Sequence, residues 1–151
     1  MGPPPWLYVG PDVEGDDALK DRLARYRRDQ DAIWRVKNSP PSLLEVLTPQ
    51  VIGGHGAAVI DRFSAWIRMQ LQTRPPEQDG QLQAEVETLA DLLYRSVIPV
   101  VLVTTEAGLG ALPADADGRR LLDVVGLANQ TLAARADGVV FMVSGVPLRL
   151  R

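Results

Sequence analysis

The chain has 151 residues, 46% of them hydrophobic and 23% charged, which is enough for one folded domain with its own core. The formal net charge of −3 argues against a general nucleic-acid binder, because such proteins draw most of their affinity from cationic contacts to phosphate. Since there is no cysteine and only one histidine, His55, disulfide scaffolds, thiolate chemistry and multi-histidine metal centres are excluded.

The first third of the chain predicts short strands separated by helices. Three prolines make residues 1–5 a flexible start, since proline fits neither a helix interior nor a central strand. The elements predicted after it are a buried strand over 6–9, a helix with Leu19, Leu23 and Tyr26 on one face, a strand over 34–37 and a short helix over 41–47.

The rest of the chain continues the alternation after a glycine-rich turn that contains His55. The elements predicted first are an apolar strand over 57–60 ending at Asp61, a helix with Phe63, Trp66, Ile67 and Leu71 on one face, a surface loop over 74–80, and a helix over 82–96 with Leu82, Val86, Leu89 and Leu93 on one face. The elements predicted after them are a strand over 97–103 buried on both faces, a glycine-rich loop over 104–113, a helix with Leu121, Val125, Ala128 and Leu132 on one face, a buried strand over 139–143 and a closing strand over 145–150.

Apolar strands that alternate with helices predict an α/β fold with a parallel central sheet, here as a single domain over residues 1–151. In such sheets ligands bind outside the carboxyl ends of the strands. The pattern therefore predicts that one rim of the sheet carries the residues that follow its strands. These are Gly10, Asp61, Thr104, Glu106 and Ser144.

The last third of the chain carries a specific string. Residues 100–113 read VVLVTTEAGLGALP, and Arg119, Asp123, Gly126 and Asn129-Gln130 follow in order. This string resembles the bifunctional adenosylcobinamide kinase/adenosylcobinamide-phosphate guanylyltransferase family of cobalamin biosynthesis. Members of that family show an Asn-Glu-Val-Gly-x-Gly-x-x-Pro loop followed by an Arg-x-x-x-Asp-x-x-Gly-x-x-Asn-Gln helix. Weaker matches, in order, extend the resemblance over nearly the whole chain, at Leu7–Val9, Asp16-Asp17, Arg22, Trp34-Arg35, Val59–Asp61 and Ala65-Trp66.

The resemblance implies a three-layer P-loop NTPase (RecA-like) fold with a mainly parallel sheet. It further implies phosphorylation of adenosylcobinamide and transfer of GMP from GTP to adenosylcobinamide phosphate, with GTP or ATP and Mg²⁺ as cofactors and a corrinoid as substrate. The family's form is a cytoplasmic homo-oligomer, often a trimer. A cytoplasmic location also agrees with apolar runs too short for a bilayer and with a start that lacks signal-peptide order, so neither a membrane nor a nucleic acid is an expected partner.

The chain departs from the family's pattern at the positions that carry the chemistry. No Gly-x-x-x-x-Gly-Lys-Ser phosphate loop occurs, and the chain starts where the family's second strand would be, so the fold is expected to lack the first strand and that loop. Arg25 stands at the position of the histidine that accepts the guanylyl group, and a protonated arginine cannot be that nucleophile. Asn38 replaces an acidic residue and Thr105 an asparagine.

No catalytic residue is assigned from the sequence, but two positions are candidates for nucleotide or substrate binding. The resemblance implies that Asp61 holds Mg²⁺ beside a phosphate, and the alternative is that this strand-end aspartate caps the helix that follows it. Glu106 lies in a loop where Gly108 and Gly110 permit close approach of a ligand, although a Gly-x-Gly loop is more often a simple turn. Arg22, Arg25 and Arg28 could attract phosphate, but Asp21, Asp29 and Asp31 lie beside them in the sequence, which favours a solvated mixed-charge face.

The resemblance and the departures from it leave two main hypotheses for the function. One is the family's activity in cobalamin biosynthesis, which we expect this chain alone to perform inefficiently. The alternative is a non-catalytic pseudoenzyme that serves as an oligomeric binding or regulatory subunit. A related enzyme with a new small-molecule substrate is a third, weaker reading. Without its first strand the sheet would have an exposed edge or face, which predicts homo-oligomers or a protein partner covering it.

Overall fold

The computed structural model describes residues 2–10, 33–38, 41–48 and 52–151. The helix predicted around Leu19 to Tyr26, with Arg22, Arg25 and Arg28, lies outside these residues. The described strands are β1 (Trp6–Gly10), β2 (Trp34–Asn38), β3 (Ala58–Ile60), β4 (Val100–Leu102), β5 (Val140–Val143) and β6 (Val146–Arg149). The described helices are α1 (Leu43–Val46), α2 (Phe63–Thr73), α3 (Asp79–Tyr94) and α4 (Ala116–Arg135), with a 3₁₀ turn over Pro76–Gln78.

The chain forms two compact units, one of Met1–Met69 with Ser96–Thr105 and the other of Gln70–Arg95 with Glu106–Arg151. The first unit holds a parallel four-stranded sheet in the order β2-β1-β3-β4. Its central strands β1 and β3 bury Leu7, Val9, Ala58 and Ile60 almost completely, as strands covered on both faces do. The predicted α/β class with a parallel sheet is confirmed.

The amino edge of this sheet is joined to the start of the chain by backbone hydrogen bonds. The Gly2 N–H donates to the Gly56 carbonyl at 2.8 Å, and the Gly56 N–H donates to the Pro5 carbonyl at 3.0 Å. A Cβ on Gly56 would overlap the backbone of Gly2 and Pro3, so only glycine fits this crossing. These contacts hold residues 2–5, predicted as a flexible start, against the turn that precedes β3.

Strand β4 is shorter and more exposed than the sequence predicts. It spans Val100–Leu102 instead of residues 97–103, and Val101 is 54% exposed. The prediction of burial on both faces is wrong here. In the described sheet β4 pairs with β3 alone, so it has the partial burial of an outer strand. The run of β-branched residues favours an extended backbone, but it does not determine how much of the strand is buried by neighbouring elements.

In the second unit α3 and α4 pack against each other. The buried side chains are Leu82, Val86, Leu89 and Ala90 of α3 and Val125 and Ala128 of α4. The stripes predicted for both helices include five of these six residues. The prediction of a loop over residues 74–80 is wrong from Pro76 onward, because Pro76–Gln78 form a 3₁₀ turn and α3 begins at Asp79. Proline suits the first turn of a helix, where its missing N–H has no partner to lose.

The two last strands form an antiparallel hairpin apart from the parallel sheet. The sequence predicts a buried strand over 139–143. The strand forms, but the prediction of its burial is wrong, since Val140, Met142 and Val143 are exposed. Ser144 and Gly145 connect the strands with φ of 50° and 81°, as a two-residue hairpin turn requires. Ser144 thus lies in a hairpin turn, and its predicted place on the rim of the parallel sheet is wrong.

Candidate functional site

The carboxyl ends of β1 and β3 enclose a cavity of about 90 Å³. Because the strands are parallel and adjacent, the residues that end them meet at one edge of the sheet. Gly10, Asp61 and Arg62 line the cavity, and apolar side chains of β1, α1, β3 and α2 form its walls. The structure therefore brings together two of the residues predicted for this rim, Gly10 and Asp61.

Asp61 is oriented by a tyrosine on the neighbouring strand. The Tyr8 hydroxyl donates to Asp61 Oδ2 at 2.6 Å, a length typical of a bond to a carboxylate. Oδ1 of Asp61 has no hydrogen-bond partner among the described residues. Within the described residues, Tyr8 thus fixes one carboxylate oxygen of Asp61, and the other oxygen accepts no hydrogen bond.

Gly10 makes this contact possible. A Cβ on Gly10 would lie 2.6 Å from Cε1 and 2.7 Å from the hydroxyl oxygen of Tyr8, so any larger residue would displace the ring. The Tyr8 ring is also in edge-to-face contact with Trp34 of β2, at 6.4 Å between ring centroids. Trp34 in turn meets Trp6 edge to face at 5.4 Å, so aromatic side chains of β1 and β2 hold the phenol in position.

Arg62 connects this edge to helix α2. Its carbonyl accepts hydrogen bonds from the Ala65 and Trp66 N–H groups at 2.8 and 3.3 Å, so its backbone begins the helix. The Asp61 carboxylate bonds to Tyr8, and among the described residues it caps no N–H of α2. The capping alternative for Asp61 is therefore wrong. Arg62 adopts φ of 54°, in the left-handed region that β-carbon sterics disfavour.

The other predicted binding loop belongs to the second unit. Glu106 Oε1 accepts a hydrogen bond from the Gly108 N–H at 3.1 Å, which closes a local turn. A Cβ on Gly110 would meet nothing within 4 Å. Residues 104–113 form no helix or strand, as predicted. In the first unit Thr105 Oγ1 lies 3.0 Å from Ser64 Oγ, which joins the end of the segment after β4 to the start of α2.

His55 lies at the opposite edge of the sheet. It precedes β3 at the amino end, in the turn where its N–H donates to the Ile52 carbonyl at 2.9 Å. Asp61 follows β3 at the carboxyl end, and a strand of this length separates the two residues by roughly 10 Å or more. The prediction of His55 as a loop residue is confirmed.

The residues at the cavity are suited to Mg²⁺ held jointly with a ligand. The described residues contain no cluster of three or more acidic, histidine or cysteine side chains that could enclose a metal ion. Mg²⁺ is commonly bound through one or two carboxylates together with substrate phosphates and water, and Asp61 offers such a carboxylate. The described site thus fits a cation that arrives with a phosphate-bearing ligand.

Sequence reasoning missed Tyr8 and Arg62. The signal for Arg62 was its place directly after a strand-end aspartate. Tyr8 carried no such signal, because its contact with Asp61 depends on the pairing of β1 with β3, over a separation of 53 residues.

A parallel α/β sheet with an acidic strand end at a cavity on its carboxyl edge is the arrangement used by nucleotide-binding α/β proteins. Comparison with known proteins identifies the family within this class. The family model for cobinamide kinase/cobinamide phosphate guanyltransferase matches residues 3–150, and the chain belongs to this family. The resemblance found in the sequence is confirmed.

Curated relatives agree with this assignment. The chain is 30% identical over 145 residues to the bifunctional adenosylcobalamin biosynthesis protein CobP of Pseudomonas aeruginosa, a match that covers 95% of this chain and 81% of the relative. It is 27% identical over 155 residues to the bifunctional adenosylcobalamin biosynthesis protein CobU of Escherichia coli, with 96% and 85% covered. The Salmonella typhimurium protein of the same name is 26% identical over 158 residues, with 98% and 87% covered.

None of the described helices combines the length and the apolar character needed to cross a membrane.

Proposed function

We propose that this chain acts in cobalamin biosynthesis by binding GTP or ATP, with Mg²⁺, and a cobinamide at the carboxyl edge of its parallel sheet. The observation that carries the proposal is the Tyr8–Asp61 hydrogen bond, which orients a carboxylate that lines the cavity. It leaves one oxygen of a strand-end carboxylate available at the edge where α/β proteins bind nucleotides. Membership of the cobinamide kinase family and the names of the relatives supply the substrate class.

Mg²⁺, when bound, would neutralise phosphate charge, and Asp61 is the residue that would hold it. Tyr8 orients this carboxylate, because its hydrogen bond to Oδ2 also sets the direction in which Oδ1 of Asp61 points. In the second unit, the glycines at 108 and 110 and the carboxylate of Glu106 are proposed as a separate binding region for the nucleotide or the corrinoid.

We further propose that residues 1–151 transfer neither phosphate nor GMP efficiently. A covalent nucleotidyl intermediate needs a nucleophile beside the bound nucleotide. The chain's only histidine, His55, lies at the amino edge, and Arg25 stands at the position that the family resemblance gives to the acceptor histidine. This distribution favours a second candidate function, a non-catalytic binding or regulatory subunit that retains the family's fold.

Calorimetric titration of the purified chain with GTP, ATP and cobinamide, with and without Mg²⁺, tests the binding proposal. We expect binding of nucleotide and of cobinamide, and a loss of Mg²⁺-dependent nucleotide affinity of about 10-fold in Asp61→Asn. Glu87→Gln, at an exposed carboxylate of α3 outside the family string, is the control and should bind as the parent does. If the parent chain bound none of the three ligands, the binding proposal would be contradicted.

The transfer proposal has a separate test. The chain is incubated with GTP labelled at the α-phosphate, denatured, and examined for retained label. We expect none, with no phosphorylated cobinamide formed in a parallel assay. Label that survives denaturation would contradict the proposed lack of covalent guanylylation, and mass spectrometry of the digested chain would then show which residue carries GMP.

A further inference from the structure

We propose that Arg62 is an anion-binding residue whose guanidinium takes a phosphate of the ligand at the β1–β3 cavity. The inference rests on the proposed function and deepens it, because it assigns a phosphate contact to a residue outside any phosphate-loop motif. No Gly-x-x-x-x-Gly-Lys-Ser sequence occurs between Met1 and Arg151, so residues 1–151 need another cation at this edge.

The first support is the state of the arginines in the described part of the chain. Most are engaged: Arg74, Arg120 and Arg135 pair with carboxylates, and Arg119, Arg149 and Arg151 donate to backbone carbonyls. The side chain of Arg62 has no hydrogen bond or ion pair to any described residue. Among the described residues that line the cavity, it is the only one with a cationic side chain. Its charge is therefore available to a ligand.

The second support is the chemistry of the cavity. Its described lining carries one carboxylate, Asp61, one guanidinium, Arg62, and otherwise mainly apolar groups. A nucleoside triphosphate brings several negative charges, which one Mg²⁺ held by a carboxylate only partly neutralises. A guanidinium presents a planar fork of N–H donors that matches two phosphate oxygens, and it keeps its charge at every working pH.

The third support concerns the helix that follows. The first N–H groups of α2 are largely occupied, since Phe63 donates to the Val103 carbonyl while Ala65 and Trp66 donate to the Arg62 carbonyl. The start of the helix thus has few free donors for an anion, and the side chain of Arg62 must supply the attraction. The left-handed φ of 54° is a backbone conformation that an arginine adopts only at a cost, and such outliers are concentrated at ligand sites.

The test compares ligands with and without phosphate. Calorimetry measures the affinity of the parent chain and of Arg62→Gln for GTP, inorganic pyrophosphate and guanosine. We expect Arg62→Gln to weaken GTP and pyrophosphate by about 10-fold to 100-fold, as loss of a charge-assisted hydrogen-bond pair does, and to leave guanosine unchanged. Arg62→Lys should recover part of the loss, because it restores the charge without the fork.

Arg68→Gln is the matched control. Arg68 lies on α2, the helix that follows Arg62, is exposed, has no side-chain partner among the described residues and does not line the cavity. It should bind all three ligands as the parent does. A second variant, Arg62→Gly, removes the cation and suits the left-handed φ, so it should unfold at an equal or higher temperature while losing the same phosphate affinity.

The outcomes separate the two proposals. Equal GTP affinity in Arg62→Gln and Arg68→Gln, or equal losses for GTP and guanosine, would overturn the role of Arg62 and leave nucleotide binding intact. Binding of pyrophosphate that depends on Arg62, in a chain that binds no nucleotide, would support the anion site and overturn the proposed function. A parent chain that binds neither nucleotide nor pyrophosphate would overturn both.

Discussion

Two residues of β1, Tyr8 and Gly10, determine how the carboxylate of Asp61 is oriented. Tyr8 and Gly10 are two positions apart on β1, so they lie on the same face of the sheet, and the missing side chain of Gly10 gives the tyrosine ring its place. The hydroxyl then reaches across to the end of β3. The site therefore depends on a glycine that contacts no ligand itself.

Removing the Tyr8 hydroxyl should weaken binding without disturbing the fold. Tyr8→Phe keeps the ring against Trp34 and deletes the hydrogen bond to Asp61. We expect Mg²⁺-dependent GTP affinity to fall by about 3-fold to 10-fold, which corresponds to one hydrogen bond of about 1 kcal/mol. Calorimetry with and without Mg²⁺ measures the effect, and Gly10→Ala should reproduce it by displacing the ring.

Tyr94→Phe is the control for this prediction, since Tyr94 is an exposed tyrosine in α3. In an Asp61→Asn background Tyr8→Phe should have little further effect if the hydroxyl acts through Asp61. Independent and additive losses would show that Tyr8 acts by another route.

At this scale the sequence predicts which residues end strands but not which side chains meet. Asp61 and Gly10 were predicted from their positions after apolar runs. The partner of Asp61 was not, because Tyr8 is 53 residues away and the contact depends on the register of β1 with β3. The conformation of Arg62 was equally hidden, since an arginine gives no sign of a positive φ, whereas a glycine would.

Among the helices of the second unit, ion pairs differ in how much they are covered. Arg120 of α4 donates from Nε and Nη2 to Asp79 at the start of α3, with a shortest distance of 2.6 Å, and Nη2 also donates to the Arg74 carbonyl. Its side chain is 18% exposed. The hydrogen bond to Asp79 raises the pKa of Arg120, which stays charged throughout the working pH range. This pair therefore joins both helices to the turn between α2 and α3.

Arg120→Gln should destabilise the chain more than the same change at Arg135. Arg135 pairs with Asp91 between the same helices, but the pair is largely exposed, and such pairs contribute little. We expect Arg120→Gln to lower the free energy of unfolding by about 1–2 kcal/mol and Arg135→Gln by about 0.5 kcal/mol or less. Urea denaturation followed by circular dichroism measures both, and equal losses would contradict the ranking.

Helices and strands differ in how well the sequence predicts them. The stripe of α3 repeats every three or four residues, and Leu82, Val86 and Leu89 are buried as that period requires. In β4 and β5 the apolar residues are adjacent, a pattern that predicts extended backbone without specifying cover. For this reason the burial of Val101 and Met142 was predicted wrongly, although both segments were predicted correctly as strands.

On the scale of the whole molecule, the hairpin of β5 and β6 presents an apolar face. The pairing of Phe141 with Leu148 and of Val143 with Val146 places these four side chains on one face. Val146 is 66% and Leu148 53% exposed. An exposed face of this kind commonly marks a surface that another chain covers.

We therefore predict that the chain self-associates through the face formed by Phe141, Val143, Val146 and Leu148. A net charge of −3 opposes association only weakly, and a symmetric assembly would bury the same face of each copy.

Sedimentation velocity of the parent chain at micromolar concentration should show an oligomer, and Val146→Lys with Leu148→Lys should return it to a monomer. Both positions are already exposed, so two lysines there would charge the face without opening a core. Val97→Lys, at an exposed valine of the first unit, is the control and should leave the oligomer intact. A monomeric parent chain, or an oligomer that survives both lysines, would contradict the prediction.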